Sequence, residues 1–302
     1  MEYLHEDKKR FRDAVDLTAY QTGAAPEAIE KDYYVTLILR LISQELSFIV
    51  FKGGTSLSKC YQLIKRFSED IDITIDTSIS QGQKKKLKEA IQNTAKELDL
   101  QILNLDETRS RRSYNRYVLA YETVLPAGAT FLQPAVLIET SFTAISFPTA
   151  LLPVHNMIGD MMETEAPELV VPYRLEPFEM KVQNLTRTFI DKVFAICDYY
   201  LLGKEKKHSR HIYDIYKLLP LVSVDHSLPS LIPEVRKARS AAAICPSAQN
   251  GVSISWLLQK IMDEQVYKAD YETLTVQLLE ENISYNTAVA SLTDIINMHI
   301  FE

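Results

Sequence analysis

Residues 48–75 read FIVFKGGTSLSKCYQLIKRFSEDIDITI, and the order of features within them decides the fold. Phe48-Ile49-Val50-Phe51 is a short apolar run, the pattern of a buried strand. It ends at Gly53-Gly54, in a chain with only 8 glycines. Where glycine is scarce, an adjacent pair marks a backbone that needs a special conformation or a close approach. Thr55 to Ile64 is predicted to be a helix opened by a threonine cap. Asp70 to Ile75 then alternates Asp-Ile-Asp-Ile-Thr-Ile. That period of two makes a strand with Ile71, Ile73 and Ile75 on the core face and Asp70 and Asp72 together on the other.

Outward from this segment, residues 3–20 and 26–46 read as helices. In the second, Ile29, Tyr33, Leu37 and Leu41 recur every four residues behind Pro26. Residues 80–98 form a lysine-rich helix, and 100–105, 114–124 and 134–142 read as three further strands. From about Thr186 the period becomes helical: Phe189, Val193, Ile196 and Tyr200 form one stripe, Ile212, Ile215, Tyr216 and Leu219 the next. Residues 255–300 are helical too. The expected fold is therefore α+β, a mixed β-sheet core with flanking helices followed by a mainly helical C-terminal region. The domains are expected at 1–150 and 151–302, with the boundary inside the proline-containing stretch 148–185.

Composition narrows the class. With 302 residues, 46% hydrophobic and 24% charged, the chain can bury a sizeable core, which excludes a disordered or fibrous protein. Three widely spaced cysteines, Cys60, Cys197 and Cys245, form no CxxC pair; they argue against a thiolate zinc site and for a reducing compartment. The charged start MEYLHEDKKRFRD is no secretion signal. The uncharged run Thr140–Gly159 contains Pro148 and Pro153 and many polar groups, so it is not a membrane span. A cytoplasmic protein without membrane contact is expected. The net charge of −7 excludes broad non-specific wrapping of nucleic acid and leaves room only for a local contact.

The chemistry indicated is that of phosphate. Two glycines at a strand-to-helix turn admit a ligand close to the backbone, and the helix start at Thr55 and Ser56 offers N–H groups to an anion. Two carboxylates on one strand face beside such a turn suit Mg²⁺, which takes carboxylates plus substrate phosphates. A third acid, Glu139, interrupts the apolar strand Val136-Leu137-Ile138. If that strand lies beside the Asp strand, Asp70, Asp72 and Glu139 form a two-metal site for an in-line displacement. Each feature alone has a plainer meaning: a turn, an exposed polar face, a paired structural acid. Their order and spacing together point to the site.

These residues resemble a known family. Hydrophobic-Gly-Gly, helix, then Asp-hydrophobic-Asp-hydrophobic resembles nucleotidyltransferases of the DNA-polymerase-β type. FKGGTSLSK and RFSEDIDI resemble the signature of the AbiEii/AbiGii toxin branch almost letter for letter. Glu30-Lys31-Asp32-Tyr33-Tyr34-Val35 resembles its EKDYWV helix, Thr188-Phe189-Ile190-Asp191-Lys192 its TFWEK, and Arg210 to Tyr216 its RHYYDLY. The resemblance spans roughly residues 28–220. It departs mildly at Ile190, Asp191 and Ile212.

The resemblance implies a nucleotidyltransferase core in residues 1–150 and a helical part in 151–302 contributing to the active-site cleft. It implies a toxin of a toxin–antitoxin or phage-defence module that uses an NTP with Mg²⁺ or Mn²⁺. The acceptor would be the 3′ end of tRNA or another RNA, and a cognate antitoxin would be encoded alongside. The family's reactive lysine and later aspartate fall on Lys192 and Asp214, giving Asp70, Asp72, Lys192 and Asp214 as catalytic candidates. The candidates for phosphate contact are Lys52, Gly53, Gly54, Thr55, Ser56, Arg210 and His211; Lys59 is expected to face solvent. Arg66 is expected to pair with Glu69 or Asp70. Arg109, Arg111, Arg112 and Arg116, interleaved with Tyr114 and Tyr117, are candidates for RNA contact. Two other readings of the same scaffold stay open: a kinase that transfers the terminal phosphate, and a non-catalytic NTP-binding regulator.

Overall fold

A computed structural model describes residues 3–68, 70–126, 132–142, 145–222, 225–241 and 244–302. The chain forms two compact units. The first comprises residues 1–61, 68–143 and 149–182; the second comprises 62–67, 144–148 and 183–302.

The first unit is built on one mixed sheet. Its strands are β1 (Ile49–Lys52), β2 (Ile71–Ile75), β3 (Gln101–Ile102), β4 (Tyr114–Ala120), β5 (Ala135–Ser141), β6 (Thr149–Val154) and β7 (Phe178–Gln183), in the order β3-β4-β5-β2-β1-β7-β6. β2 runs antiparallel to β1 and parallel to β5, while β7 runs parallel to β1. The helices of this unit are α1 (Lys8–Thr22), α2 (Pro26–Glu45), α3 (Gly53–Lys59), α4 (Gln81–Glu97), α5 (Met157–Glu165) and α6 (Pro167–Val170). Helix α2 starts at Pro26, where the missing N–H costs no intrahelical bond. Its Ile29, Tyr33, Leu37 and Ile38 are fully buried. Helix α4 opens on a capping box in which the Ser80 hydroxyl accepts from Gln83 N–H and the Gln83 side chain accepts from Ser80 N–H.

The α+β class read from the sequence is what forms, with local differences. Two strands, β6 and β7, lie in the stretch 148–185 where no strand was expected. Pro148 and Pro153 obscure β6; a strand at the end of a sheet accommodates proline because one side of it has no ladder to supply. Helix α3 begins at Gly53 rather than Thr55, and Thr55 does not cap it. The buried Thr55 hydroxyl instead donates to Asp70 O at 2.6 Å and pairs with Ser68 Oγ at 3.0 Å, which ties α3 to the start of β2.

The second unit is helical. It contains α7 (Leu185–Leu202), α8 (Arg210–Val222), α9 (Leu228–Ser240), α10 (Ile254–Glu264), α11 (Lys268–Asp270), α12 (Val276–Leu278) and α13 (Tyr285–Asn297). Asn184 caps α7 by accepting from Thr186 N–H, and Gly203 ends it in the left-handed conformation. The apolar stripe Phe189, Val193 and Ile196 is fully buried, as are Ile212 and Ile215 of α8. No helix among the described residues is long and apolar enough to cross a membrane.

Candidate active site

In the first unit, strand register assembles the predicted residues into one row. Lys52 at the end of β1 is opposite Asp72 on β2, Asp72 is opposite Glu139 on β5, and Glu139 is opposite Arg116 on β4. The condition set by the sequence, that the Glu139 strand lie beside the Asp strand, is met. All four side chains stand on the face away from Ile71, Ile73, Ile138 and Tyr117, which are buried. Neighbouring strands are about 4.8 Å apart, so the two carboxylates are a single strand spacing apart at their backbones.

The glycine turn closes against this row. Gly53 adopts φ +80°, and a Cβ placed there would fall 1.9 Å from Asp72 Oδ2 and 2.9 Å from Asp72 Cγ. The backbone therefore occupies the space beside the Asp72 carboxylate that any side chain would fill. Gly54 and the half-buried Lys52 flank it. Ser56 is fully buried and its hydroxyl donates to Gly53 O at 2.9 Å, bracing the turn from within. Asp70 lies one residue before β2, with its carbonyl held by Thr55.

Among the described residues no three His, Cys, Asp or Glu side chains stand close enough together to enclose an ion. What the sheet provides is the in-register pair Asp72 and Glu139, with Asp70 immediately before the strand that carries Asp72. Hard oxygen donors beside an open backbone cradle fit Mg²⁺, which keeps waters and takes one or two carboxylates plus substrate phosphates.

Glu139 has a companion the sequence did not single out. The Tyr114 hydroxyl donates to Glu139 Oε1 at 3.0 Å. Partial burial and the adjacent carboxylate push the Tyr114 phenol up to about 12, so it remains a donor.

The arginine segment is less uniform than its sequence suggested. Arg109 donates to Thr108 O at 2.9 Å and to Asp106 O, and Arg112 donates to Glu107 O at 3.1 Å. Arg111 and Arg116 are exposed. Tyr117 points into the core at 2% exposure, so Tyr114 alone of the two rings can stack on a base. Lys59, expected at the surface, is buried. Its amine donates to Asp32 Oδ1 at 2.5 Å, Thr36 Oγ1 at 2.6 Å and His155 O at 3.0 Å. Its aliphatic position on α3 faces α2, which no local pattern in residues 53–59 reveals.

In the second unit, Lys192 on α7 and Asp214 on α8 meet. Lys192 Nζ donates to Asp214 Oδ2 at 2.7 Å, with the two side chains 7% and 0% exposed. The expected pairing of Arg66 with Glu69 falls on a residue outside the described ones, and the structure adds a partner that was not expected. Arg66 grips Asp214 with both prongs, Nε to Oδ1 at 2.7 Å and Nη2 to Oδ2 at 2.8 Å. Burial works to raise the Asp214 pKa, but Arg66 and Lys192 outweigh it and keep the carboxyl ionised, well below the usual range. Burial lowers the Lys192 pKa, and Arg66 and Arg210 add to that against the pull of Asp214. Arg210 begins α8. His211 Nδ1 lies 3.9 Å from Asp214 Oδ2, and burial, then Lys192, pushes its pKa well below 6.5.

The family model described as nucleotidyl transferase AbiEii toxin, type IV toxin–antitoxin system, matches residues 37–291. The chain belongs to this family. The match runs past residue 220, so the C-terminal helices that carry no recognisable word are part of the family's extent. Among solved structures, MenT4, a nucleotidyltransferase toxin from Mycobacterium tuberculosis H37Rv, shares the fold. It has 16% identity and a TM-score of 0.56, over 94% of this chain and 88% of that one. No curated protein sequence matches at a significant level. Membership of the AbiEii family makes the chain a nucleotidyltransferase-type toxin of a type IV toxin–antitoxin system.

Proposed function

We propose that this AbiEii-family toxin transfers a nucleotidyl group from an NTP to the end of an RNA, with the 3′ end of tRNA as the acceptor, in phage defence held in check by a cognate antitoxin. The observation that carries the reading is the row Lys52, Asp72, Glu139 and Arg116, closed on one side by the Gly53 backbone. Two adjacent acids that can hold a metal stand between two cationic ends that can meet phosphate, with the Gly53 backbone alongside. That is the arrangement a polyphosphate–metal substrate needs.

Asp72 and Glu139, with Asp70, would hold Mg²⁺ or Mn²⁺, which neutralises charge on the phosphates when bound. Gly53 and Gly54 let the triphosphate approach the backbone. Lys52 offers a compact cation to it, and Thr55 and Ser56 fix the turn. Lys192 takes the phosphate-contact role that its match to the family's reactive lysine suggests, with Asp214 orienting it, and Arg210 and His211 at the start of α8 offer further contacts to phosphate. The acceptor hydroxyl attacks the α-phosphorus and pyrophosphate leaves. Arg111, Arg116 and the exposed Tyr114 ring suit a single-stranded acceptor through charge and stacking; Arg109 and Arg112 contribute charge while their guanidinium groups brace the loop.

The test uses each NTP labelled first at the α- and then at the γ-phosphorus, with purified protein, Mg²⁺, cellular RNA and an Asp72→Ala control. Label from α that enters RNA and disappears in the variant is the expected result. Label from γ alone would reassign the protein as a kinase. Tight NTP binding with no transfer of either label would make it a regulator.

A further inference from the structure

Arg66 is the member of the Asp214 cluster that no motif reading assigned. Its side chain is 2% exposed, and its backbone is fixed on both sides within the second unit. Arg66 forms an antiparallel bridge with Leu279, Phe67 N–H donates to Leu278 O at 2.9 Å, and Glu280 N–H donates to Lys65 O at 2.9 Å. Lys65 N–H also donates to the Tyr213 hydroxyl at 2.9 Å, one residue before Asp214. The guanidinium is thus delivered from a rigid segment, and both carboxylate oxygens of Asp214 lie in its fork.

The two cations on Asp214 differ in kind. The Arg66 fork matches a carboxylate bidentately and is always charged. Lys192 is a point charge on a flexible stem and makes a single hydrogen bond, to Oδ2. Were Lys192 the sole partner, turning its amine to another anion would strand an ionised carboxylate in the interior, which is strongly unfavourable. With Arg66 in place that penalty is removed. The charged groups facing the pair are Arg210 and His211 on α8, with His208 next to His211. None of them is an acid that could hold the Lys192 amine back.

We propose that Arg66 is a positioning residue of the transfer reaction: its two-pronged hold keeps Asp214 satisfied, so that the Lys192 amine can turn to a phosphate oxygen of the NTP. This rests on the assignment of Lys192 as a phosphate contact. Arg66 occupies residues 62–67, the link in sequence between the glycine turn on α3 and the Asp strand β2.

The test is a double-mutant cycle on the full chain. Inorganic triphosphate with Mg²⁺, and each of the four NTPs, are titrated calorimetrically into wild type, Arg66→Met, Lys192→Met and the double variant. Lys192→Met is expected to weaken triphosphate binding about 10- to 100-fold, the range for one hydrogen bond to a charged group. Arg66→Met is expected to cause a similar loss, and the double variant no further loss, because Arg66 acts only through Lys192. Arg66→Lys, which restores a cation without the fork, recovers part of the binding. Losses that add in the double variant, or an Arg66→Met protein that binds like wild type, would overturn the proposal and leave Arg66 a brace. If Lys192→Met alone binds like wild type, the Lys192 assignment itself falls, a separate failure visible in the first titration. Should Arg66→Met not fold, or the double variant, in which Asp214 has lost both cations, not fold, the cycle of Arg66→Lys with Lys192→Met decides in the same way: additive losses overturn the proposal and non-additive ones support it.

Discussion

Gly53→Ala separates backbone strain from damage to the site. At φ +80° an alanine sits in the left-handed region, at a cost of roughly 1–2 kcal/mol. The new Cβ would lie 1.9 Å from Asp72 Oδ2 but 3.2 Å from Asp72 Cβ, so the strand can stay while the carboxylate must rotate away. An off-rotamer side chain adds about 0.5–1.5 kcal/mol. The total of about 1.5–3.5 kcal/mol is a fraction of the roughly 5–15 kcal/mol that holds a domain together, so the protein folds. Its activity should not survive, because moving a reacting group by about 1 Å costs on the order of 100-fold in rate. Gly23→Ala is the matched control: φ is +74° and nothing lies within 4 Å of its Cβ, so it carries the strain alone. The assay is transfer from α-labelled NTP to cellular RNA, paired with thermal melts. Gly23→Ala should melt lower and transfer normally; Gly53→Ala should melt slightly lower still and lose at least about 99% of transfer. A Gly53→Ala protein with more than a third of wild-type activity would refute the placement of Asp72 in the reaction.

Four further outcomes follow from the same contacts. Lys59→Met leaves the Asp32 carboxylate without its cation in a buried setting, and should cost about 3–5 kcal/mol in denaturant melts; a loss under about 1 kcal/mol would contradict the burial. Asp214→Ala leaves the buried Lys192 amine without its carboxylate and empties the Arg66 fork, whereas Lys192→Met leaves Asp214 in that fork, so calorimetry should show Asp214→Ala melting below Lys192→Met. His211 is held neutral when folded but takes a proton near pH 6.5 when unfolded. Its contribution is therefore complete above about pH 6.5 and is lost as pH falls below it, with a slope of up to about 1.4 kcal/mol per pH unit. His211→Gln should remove one proton's worth of that slope between pH 5 and 6.5, although His5 and His208, also lowered by burial, keep the remainder. Charge reversal of Arg111 and Arg116 to Glu should reduce RNA labelling at low salt and change it little at high salt; unchanged labelling in both would remove this surface as an RNA contact.

The segment 48–75 was legible because its signals are local. A period of two puts Ile71 and Ile73 in the core and Asp72 on the opposite face whatever the rest of the chain does, and a lone acid among Val136, Leu137 and Ile138 is conspicuous in one dimension. Lys59, Arg66 and Tyr114 were not legible, because what makes them matter is a partner far away in sequence. Lys59 reaches Asp32 across 27 positions and Arg66 reaches Asp214 across 148. Neither separation leaves a periodic trace, and a lysine or arginine near a polar turn reads as solvated until its partner is known. β3 illustrates the opposite error: 100–105 has a strand's composition, yet the ladder to β4 covers Gln101 and Ile102, and beyond it Leu103 N–H and the Asn104 side chain bond the β4 backbone before a short helical turn at Leu105–Glu107.

The words that carry the family resemblance divide by the contacts they make. In EKDYYV, Glu30 accepts from Thr123 Oγ1 at 2.6 Å and Val124 N–H at 2.7 Å, and Asp32 takes Lys59 and Met157 N–H. In TFIDK, Asp191 takes Arg187 at 2.9 Å and Arg239 at 3.0 Å. These acids pin α2 within the first unit and α7 within the second; they work as architecture, and buried ionic contacts of this kind serve a defined geometry better than they serve net stability. Asp72 and Glu139 differ, standing half-buried on strands whose opposite faces already anchor the sheet through isoleucines. Lys192, Asp214 and Arg66 stand apart from both groups: their contact packs α7 on α8, and under the proposed role of Lys192 it is also the one that loosens for the amine to reach phosphate. Loss of activity on changing a family residue therefore has a chemical meaning for Asp72 directly, and for Asp214 only once its effect on folding has been subtracted.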